Sequence, residues 1–193
     1  MFDGGNENIL SHIFRITNFI NDAIKEGGKV LLHCVEGVSR SAAVCIGYLI
    51  VTNEIDYKTA YDTVRSKRRI SSPNPKFVAQ LMQLAEIMGT SKTASCYFSK
   101  TKTIPFKVTE RNDELVMLPI YSKIPEGDEE NAYILLDYSN CKNGLPKNTD
   151  NENHAIITQY IGQKAPFEYK DCAQEFIESL KKCLNIEEIE SIK

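Results

Sequence analysis

No apolar run in the 193-residue chain approaches the ~18 residues that a membrane span needs, so no membrane partner is expected. No charged-then-apolar leader precedes a cleavage site, so no secretory signal is visible. The six cysteines (Cys34, Cys45, Cys96, Cys141, Cys172 and Cys183) form neither CxxC pairs nor a His/Cys spacing suited to a metal. That argues against a metal site and a disulfide framework, and for a reducing compartment. No repeat, low-complexity tract or cofactor motif is present, and no cofactor is expected. A basic excess is missing too. Residues 93–193 carry 12 Lys and Arg against 17 Asp and Glu, a net of −5, and residues 1–92 carry 11 against 9, a net of +2. The acidic second half speaks against nucleic acid as a partner. The length fits one or two domains, and a hydrophobic content of 42% suffices for their cores.

What is present centres on His33-Cys34-Val35-Glu36-Gly37-Val38-Ser39-Arg40-Ser41. The run follows a short apolar segment, Val30-Leu31-Leu32, that reads as a buried strand. It precedes a small-residue and apolar stretch, Ala42 to Ile50, that reads as a buried helix. A strand, a tight glycine-containing loop and a helix N-terminus together make an anion site, because successive N–H groups point inward and the helix dipole adds positive charge. A cysteine at the mouth of such a loop is favoured as its thiolate. Arg40, six positions after Cys34, can curl back and offer a planar fork to two phosphate oxygens. The run reads as a site for cleaving phosphate esters through cysteine.

These residues resemble the HCxxGxxR signature loop of the cysteine-based protein phosphatases, and within them the dual-specificity branch. The resemblance implies a ping-pong mechanism. Cys34 attacks phosphorus, and the loop residues Val35, Glu36, Gly37, Val38, Ser39 and Arg40 bind the phosphate through their amides and the Arg40 guanidinium. A phosphocysteine forms. It also implies that His33 supports the loop and that Ser41 gives the Cys34 sulfur a hydrogen bond, easing its departure. The general acid in this branch is an aspartate on a loop about thirty residues upstream. Asp3 lies 31 positions before Cys34 and is the candidate, the alternative being an ordinary terminal carboxylate. After it a helix is expected from Asn6–Asn8, with Ile9, Ile13, Ile16, Phe19, Ile20, Ala23 and Ile24 as its apolar stripe and Gly27-Gly28 as its end.

The resemblance continues beyond the loop. Asp56 reads as the N-cap of a helix running to about Arg65. Val64-Arg65-Ser66-Lys67-Arg68-Arg69-Ile70, Pro73-Asn74, Phe77, Gln80 and Leu81 follow the family's closing pattern, with Asn74 as a supporting residue and one extra residue before Pro73. The basic cluster Arg65, Lys67, Arg68 and Arg69 reads as a solvated face with one structural arginine, the alternative being a dock for a phosphorylated or acidic partner. The family's domain places several strands and a helix ahead of the acid loop, and only residues 1–92 resemble it. The chain therefore reads as the C-terminal portion of that domain.

Past Gly89-Thr90-Ser91-Lys92-Thr93 the pattern turns strand-rich. Thr103 to Val108, Leu115 to Tyr121, Ala132 to Asp137 and Ala155 to Ile161 read as strands, and Asn140 to Asn153 as a polar loop. A last helix from about Glu168 to Leu184 puts Cys172, Phe176, Ile177 and Leu180 on one face, with Ala173 beside them. Ala132-Tyr133-Ile134-Leu135-Leu136-Asp137 and Tyr160-Ile161-Gly162-Gln163-Lys164-Ala165 resemble the central strand and the Trp-Ile-Gly segment of a gelsolin-like repeat. Tyr160 stands where that family usually has tryptophan. Plant MAP kinase phosphatases join the two parts in this order. Asn131 falls where a calcium site would need an acid, so calcium and actin binding are not expected.

The expected fold is α/β. The C-terminal part of a cysteine-phosphatase domain (1–92), with central strand, phosphate loop and helices, precedes a smaller α+β gelsolin-like domain (93–193). The expected function is a protein-tyrosine/serine/threonine phosphatase acting on a phosphorylated protein, by resemblance a MAP kinase. The loop variables Val35, Glu36 and Val38 lack the basic residues that suit multiply anionic substrates. The expected location is cytoplasmic or also nuclear. The alternative is a non-catalytic phosphoprotein-binding or scaffold module.

Overall fold

The computed structural model describes residues 8–90, 102–111, 114–120, 122–139, 155–184 and 189–191. The chain divides into two compact units, Met1–Ala94 and Ser95–Lys193. Asp3, the expected helix start at Asn6 and the polar loop Asn140 to Asn153 lie outside the described residues.

In the first unit the described elements are helices: α1 (Leu10–Lys25), α2 (Arg40–Asn53), α3 (Tyr57–Lys67) and α4 (Pro75–Ile87). Helix α2 contacts the other three. Its small and apolar residues suit it to that place: Ala42, Ala43, Ile46, Gly47, Ile50 and Val51 are all buried. Gly47 is required by close approach, because a β-carbon there would sit 2.6 Å from Ile13 Cδ1 of α1. Burying Ile13, Ile46, Ile50, Leu81 and Leu84 completely contributes on the order of 1.5–3 kcal/mol each relative to exposure.

Local chemistry sets the helix ends. The Asn8 side chain accepts the Leu10 N–H at 2.9 Å, and the Ile9 N–H reaches Gln80 Oε1 at 2.7 Å. At the far end of α1, Gly28 N–H bonds to Ala23 O at 2.8 Å and Gly27 N–H to Ile24 O at 3.0 Å. These two bonds, with Gly27 at φ +79°, form a Schellman motif that only glycine adopts without strain. Asp56 caps α3 by accepting the Thr59 N–H at 2.7 Å. Asn74 caps α4 by accepting the Phe77 N–H at 3.0 Å, with Pro75 at the first helical position.

Two expectations are corrected here. Residues 28–34 form no strand. A strand needs a neighbour to take its N–H and C=O groups, none of the described residues provides one, and Leu31 is 82% exposed. The buried face of α1 is Leu10, Ile13, Phe14, Thr17 and Ile20. At 3.6 residues per turn Phe19 falls opposite it, and Ile24 lies in the last turn; both are exposed.

The second unit is a five-stranded sheet with one long helix. Its strands are β1 (Thr103–Arg111), β2 (Glu114–Pro119), β3 (Ala132–Asp137), β4 (Ile156–Ile161) and β5 (Ile189–Ser191), ordered β2-β1-β3-β4-β5. All neighbours are antiparallel except β4 and β5. The short β5 carries no sequence signal of its own; it is held by its ladder to Ile157–Gln159. Helix α5 (Phe167–Leu184) packs on β1 to β4. Ala173, Phe176, Ile177 and Leu180 are its buried face, Cys172 being only partly covered. Phe176 meets Phe106 of β1 with ring centroids 4.9 Å apart.

The entry to α5 depends on one glycine. A β-carbon at Gly162 would lie 2.3 Å from the Glu129 carbonyl. The close approach lets Gly162 N–H reach Asn131 O at 2.9 Å and Lys164 N–H reach Glu129 O at 2.7 Å. Beside it, the Asp128 carboxylate accepts hydrogen bonds from Tyr133 OH at 2.6 Å and from Asn131 Nδ2 at 2.9 Å. The Tyr133 hydroxyl holds Asp128 below the ordinary carboxyl range, while burial and the carboxylate push Tyr133 up.

Candidate active site

Residues 35–39 bend between the irregular segment ending at Cys34 and the first turn of α2. Cys34 Sγ accepts the Gly37 N–H at 3.2 Å and stands 3.3 Å from Ser41 Oγ. Burial opposes ionisation of this thiol. The Ser41 hydroxyl and the N–H groups of Ser41, Gly37 and Val38 outweigh it and pull the thiol down to about 6. Every one of these donors belongs to the loop or to the N-terminus of α2, where the helix dipole also favours negative charge. Cys45, half-buried within α2, goes the other way: burial pushes its thiol up.

The expected phosphate-binding residues are brought together. Gly37 takes φ +67°, a left-handed conformation that lets the chain reverse inside the loop. Ser39 stands at the N-cap position of α2 but makes no cap bond there; its Oγ accepts the Asn74 N–H at 3.0 Å instead. Arg40 opens α2 and is half-buried, and Ser41 is buried behind the cysteine. Val35 and Glu36 are exposed at the rim. His33 is exposed, and its side chain makes no hydrogen bond among the described residues. Asn74 is joined to the loop through Ser39 while its side chain caps α4.

One loop-contacting residue emerges from the basic cluster. Arg68 follows α3; its Nε donates to Gly37 O at 3.0 Å and its second guanidinium nitrogen to Glu36 O at 3.4 Å. It is the structural arginine of that run. Arg65 turns back on its own helix, donating to Tyr61 OH and lying over the Tyr61 ring. Lys67 and Arg69 are exposed. The four are equivalent by composition; the turn made after α3, with Ser71 N–H on Arg68 O at 3.0 Å, decides which reaches the loop.

Among the described residues, no group of three His, Cys, Asp or Glu could hold a metal, and no helix is long and apolar enough to cross a membrane. The arrangement offers an ionised sulfur, convergent N–H donors and an arginine at a helix start. That set suits attack on a phosphate group.

Residues 1–87 match the family model described as dual specificity phosphatase, catalytic domain. The chain is similar to dual specificity protein phosphatase 5 of Rattus norvegicus, 39% identical over 92 residues, which are 47% of this chain and 24% of that protein. It is similar to dual specificity protein phosphatase MPK-4 of Drosophila melanogaster, 40% identical over 90 residues, 47% of this chain and 23% of that protein. The crystal structure of human DUSP28 aligns at 36% identity over 45% of this chain and 59% of that one, with a TM-score of 0.43. The chain thus spans about a quarter of the two curated relatives. Residues 1–87 are similar to the catalytic domain of dual specificity phosphatases, and the Cys34 loop lies inside that match.

Proposed function

We propose that this chain hydrolyses phosphoprotein monoesters through a phosphocysteine on Cys34. The observation that carries the reading is the sulfur itself, met by Gly37 N–H and Ser41 Oγ and ionised near pH 6. In the first step the Cys34 thiolate bonds to phosphorus and the bond to the ester oxygen breaks. The Asp3 carboxyl gives that oxygen its proton. The loop amides and Arg40 carry the charge on the other phosphate oxygens. In the second step water attacks the phosphocysteine, the Asp3 carboxylate takes its proton, and the sulfur leaves as a thiolate stabilised by the Ser41 hydroxyl.

The proposed substrate is a MAP kinase carrying phosphotyrosine and phosphothreonine. Support comes from the family match and from Val35, Glu36 and Val38, which put no cation in the loop for a multiply anionic small molecule. We assign the second unit to a gelsolin-like fold with a docking role. It is supported by β3 in the middle of five strands and by Tyr160-Ile161-Gly162 just before α5. The proposal does not extend to calcium or actin. A reducing location, cytoplasmic or nuclear, suits a nucleophile that must stay a free thiol.

The test is hydrolysis of an aryl phosphate by the chain, with vanadate as inhibitor and Cys34→Ser as control. Vanadate-sensitive turnover lost in Cys34→Ser supports the reading. A folded wild-type chain without turnover sinks it.

A further inference from the structure

The carbonyls of the loop are held from outside, and a peptide group transmits that hold inward. A trans peptide is planar, with its C=O and N–H pointing in opposite directions. Arg68 takes Glu36 O, and the N–H of the same peptide, on Gly37, points to Cys34 Sγ at 3.2 Å. Arg68 also takes Gly37 O at 3.0 Å, and the N–H of that peptide, on Val38, is another of the donors that lower the Cys34 thiol. The Ser72 N–H takes Val38 O at 2.9 Å, which sets the peptide carrying the Ser39 N–H. Three consecutive peptides are therefore gripped by the segment that joins α3 to α4.

We propose that Arg68 is a positioning residue whose guanidinium, with the Ser72 N–H, holds the carbonyls of Glu36, Gly37 and Val38 outward and so aims the N–H groups of Gly37, Val38 and Ser39 into the phosphate-binding hollow. The inference rests on the phosphatase reading for its kinetic consequence, but not for its effect on the sulfur. Arginine is needed because its fork spans two carbonyls; an ammonium on a flexible stem serves one at a time. The closeness of the guanidinium also bears on Gly37, where a β-carbon would lie 2.8 Å from it. Glycine there satisfies the left-handed φ and leaves room for the arginine.

The test compares Arg68→Ala, Arg68→Lys and Arg69→Ala, the last removing a neighbouring exposed charge. The readouts are the pH midpoint of Cys34 alkylation by iodoacetamide and the kcat and KM for an aryl phosphate. Arg68→Ala is expected to raise the midpoint by roughly half a unit or more, because donors to the thiolate are lost. It should lower kcat about tenfold with little change in KM, because the same donors act mainly on the transition state. Arg68→Lys should fall between Arg68→Ala and wild type, and Arg69→Ala should match wild type. If Arg68→Ala does not fold, Arg68→Lys decides. A folded Arg68 variant with the wild-type midpoint and kcat overturns the inference, as does an equal shift in Arg69→Ala. A wild-type chain without Cys34-dependent hydrolysis, whose midpoint still moves in Arg68→Ala, removes the phosphatase reading and leaves the aiming of the donors standing.

Discussion

Ser41 Oγ, on the second residue of the helix that the loop feeds, stands 3.3 Å from Cys34 Sγ. With the sulfur ionised, the hydroxyl is the donor. Ser41→Ala should move the midpoint of Cys34 alkylation above 6 and toward the ordinary value of 9. It should also slow loss of the sulfur from the phosphocysteine, so that the phosphoenzyme accumulates. Rapid-quench trapping of labelled phosphoenzyme checks the second point.

The same titration predicts the acid limb of activity. A thiol lowered to about 6 is mostly thiolate at pH 7, roughly ten to one by a one-unit difference. Turnover should therefore hold near neutrality and fall as pH drops through about 6. The folded state binds this proton less readily than the unfolded chain. The stabilisation tied to it is fully present only above the unfolded thiol's range and is lost as pH falls through about 6. A kcat/KM profile with its limb near 9 instead would contradict the geometry.

Asp3→Ala should separate the two halves of the chemistry. An activated aryl phosphate leaves without a proton, so its initial burst should survive. Turnover of a phosphotyrosine or phosphothreonine peptide should fall by about a hundredfold or more, the usual contribution of a general acid. Loss of the burst as well would count against Asp3 as the acid.

Gly37→Ala places a side chain at φ +67° and 2.8 Å from the Arg68 guanidinium. The left-handed conformation alone costs about 1 kcal/mol, and the arginine must move aside. The variant should reproduce the raised alkylation midpoint of Arg68→Ala. The double variant should be little worse than either single one, because both disturb the same two peptides. A fully additive pair would argue that the two residues act separately.

In the second unit, Asp128 is held below the ordinary carboxyl range by the Tyr133 hydroxyl. Its contribution to stability is present above the unfolded carboxyl's range and is lost as pH falls into the acid range. Asp128→Asn should flatten that dependence. Tyr133→Phe should cost about 0.5–1.5 kcal/mol, the net worth of one hydrogen bond, because Asp128 is half-buried and its oxygen keeps Asn131 Nδ2 as a donor. Urea unfolding of the chain between pH 3 and pH 7, followed by a signal from the sheet, reads both.

Much of this was legible because certain residues have few physical uses. Asp56 ahead of a helical pattern and Gly27-Gly28 at a helix end each point to one local geometry, and each adopts it. The Cys34 loop is readable for the same reason. The Asn74 cap and Pro75 at the first turn of α4 emerge only in the structure. What the sequence hides depends on contacts far along the chain. Val30-Leu31-Leu32 has the composition of a strand, but a ladder needs a second strand. Arg68 lies among three other cations, and its distinction is the Gly37 carbonyl 31 residues away. Ser39 occupies the N-cap position of α2 yet serves as an acceptor for Asn74, 35 residues away. The three residues of β5 are too few to carry a period.

Pro73 and Pro75 flank Asn74, and proline has no N–H. From Ser72 to Pro75 the backbone thus carries donors at Ser72 and Asn74 alone, and both are directed at the loop, to Val38 O and Ser39 Oγ. A slip of this segment by one residue would put a proline in place of the Asn74 donor in either direction, and in one direction in place of the Ser72 donor as well. The prolines therefore act as a key: they leave one register in which the segment can seat against the loop.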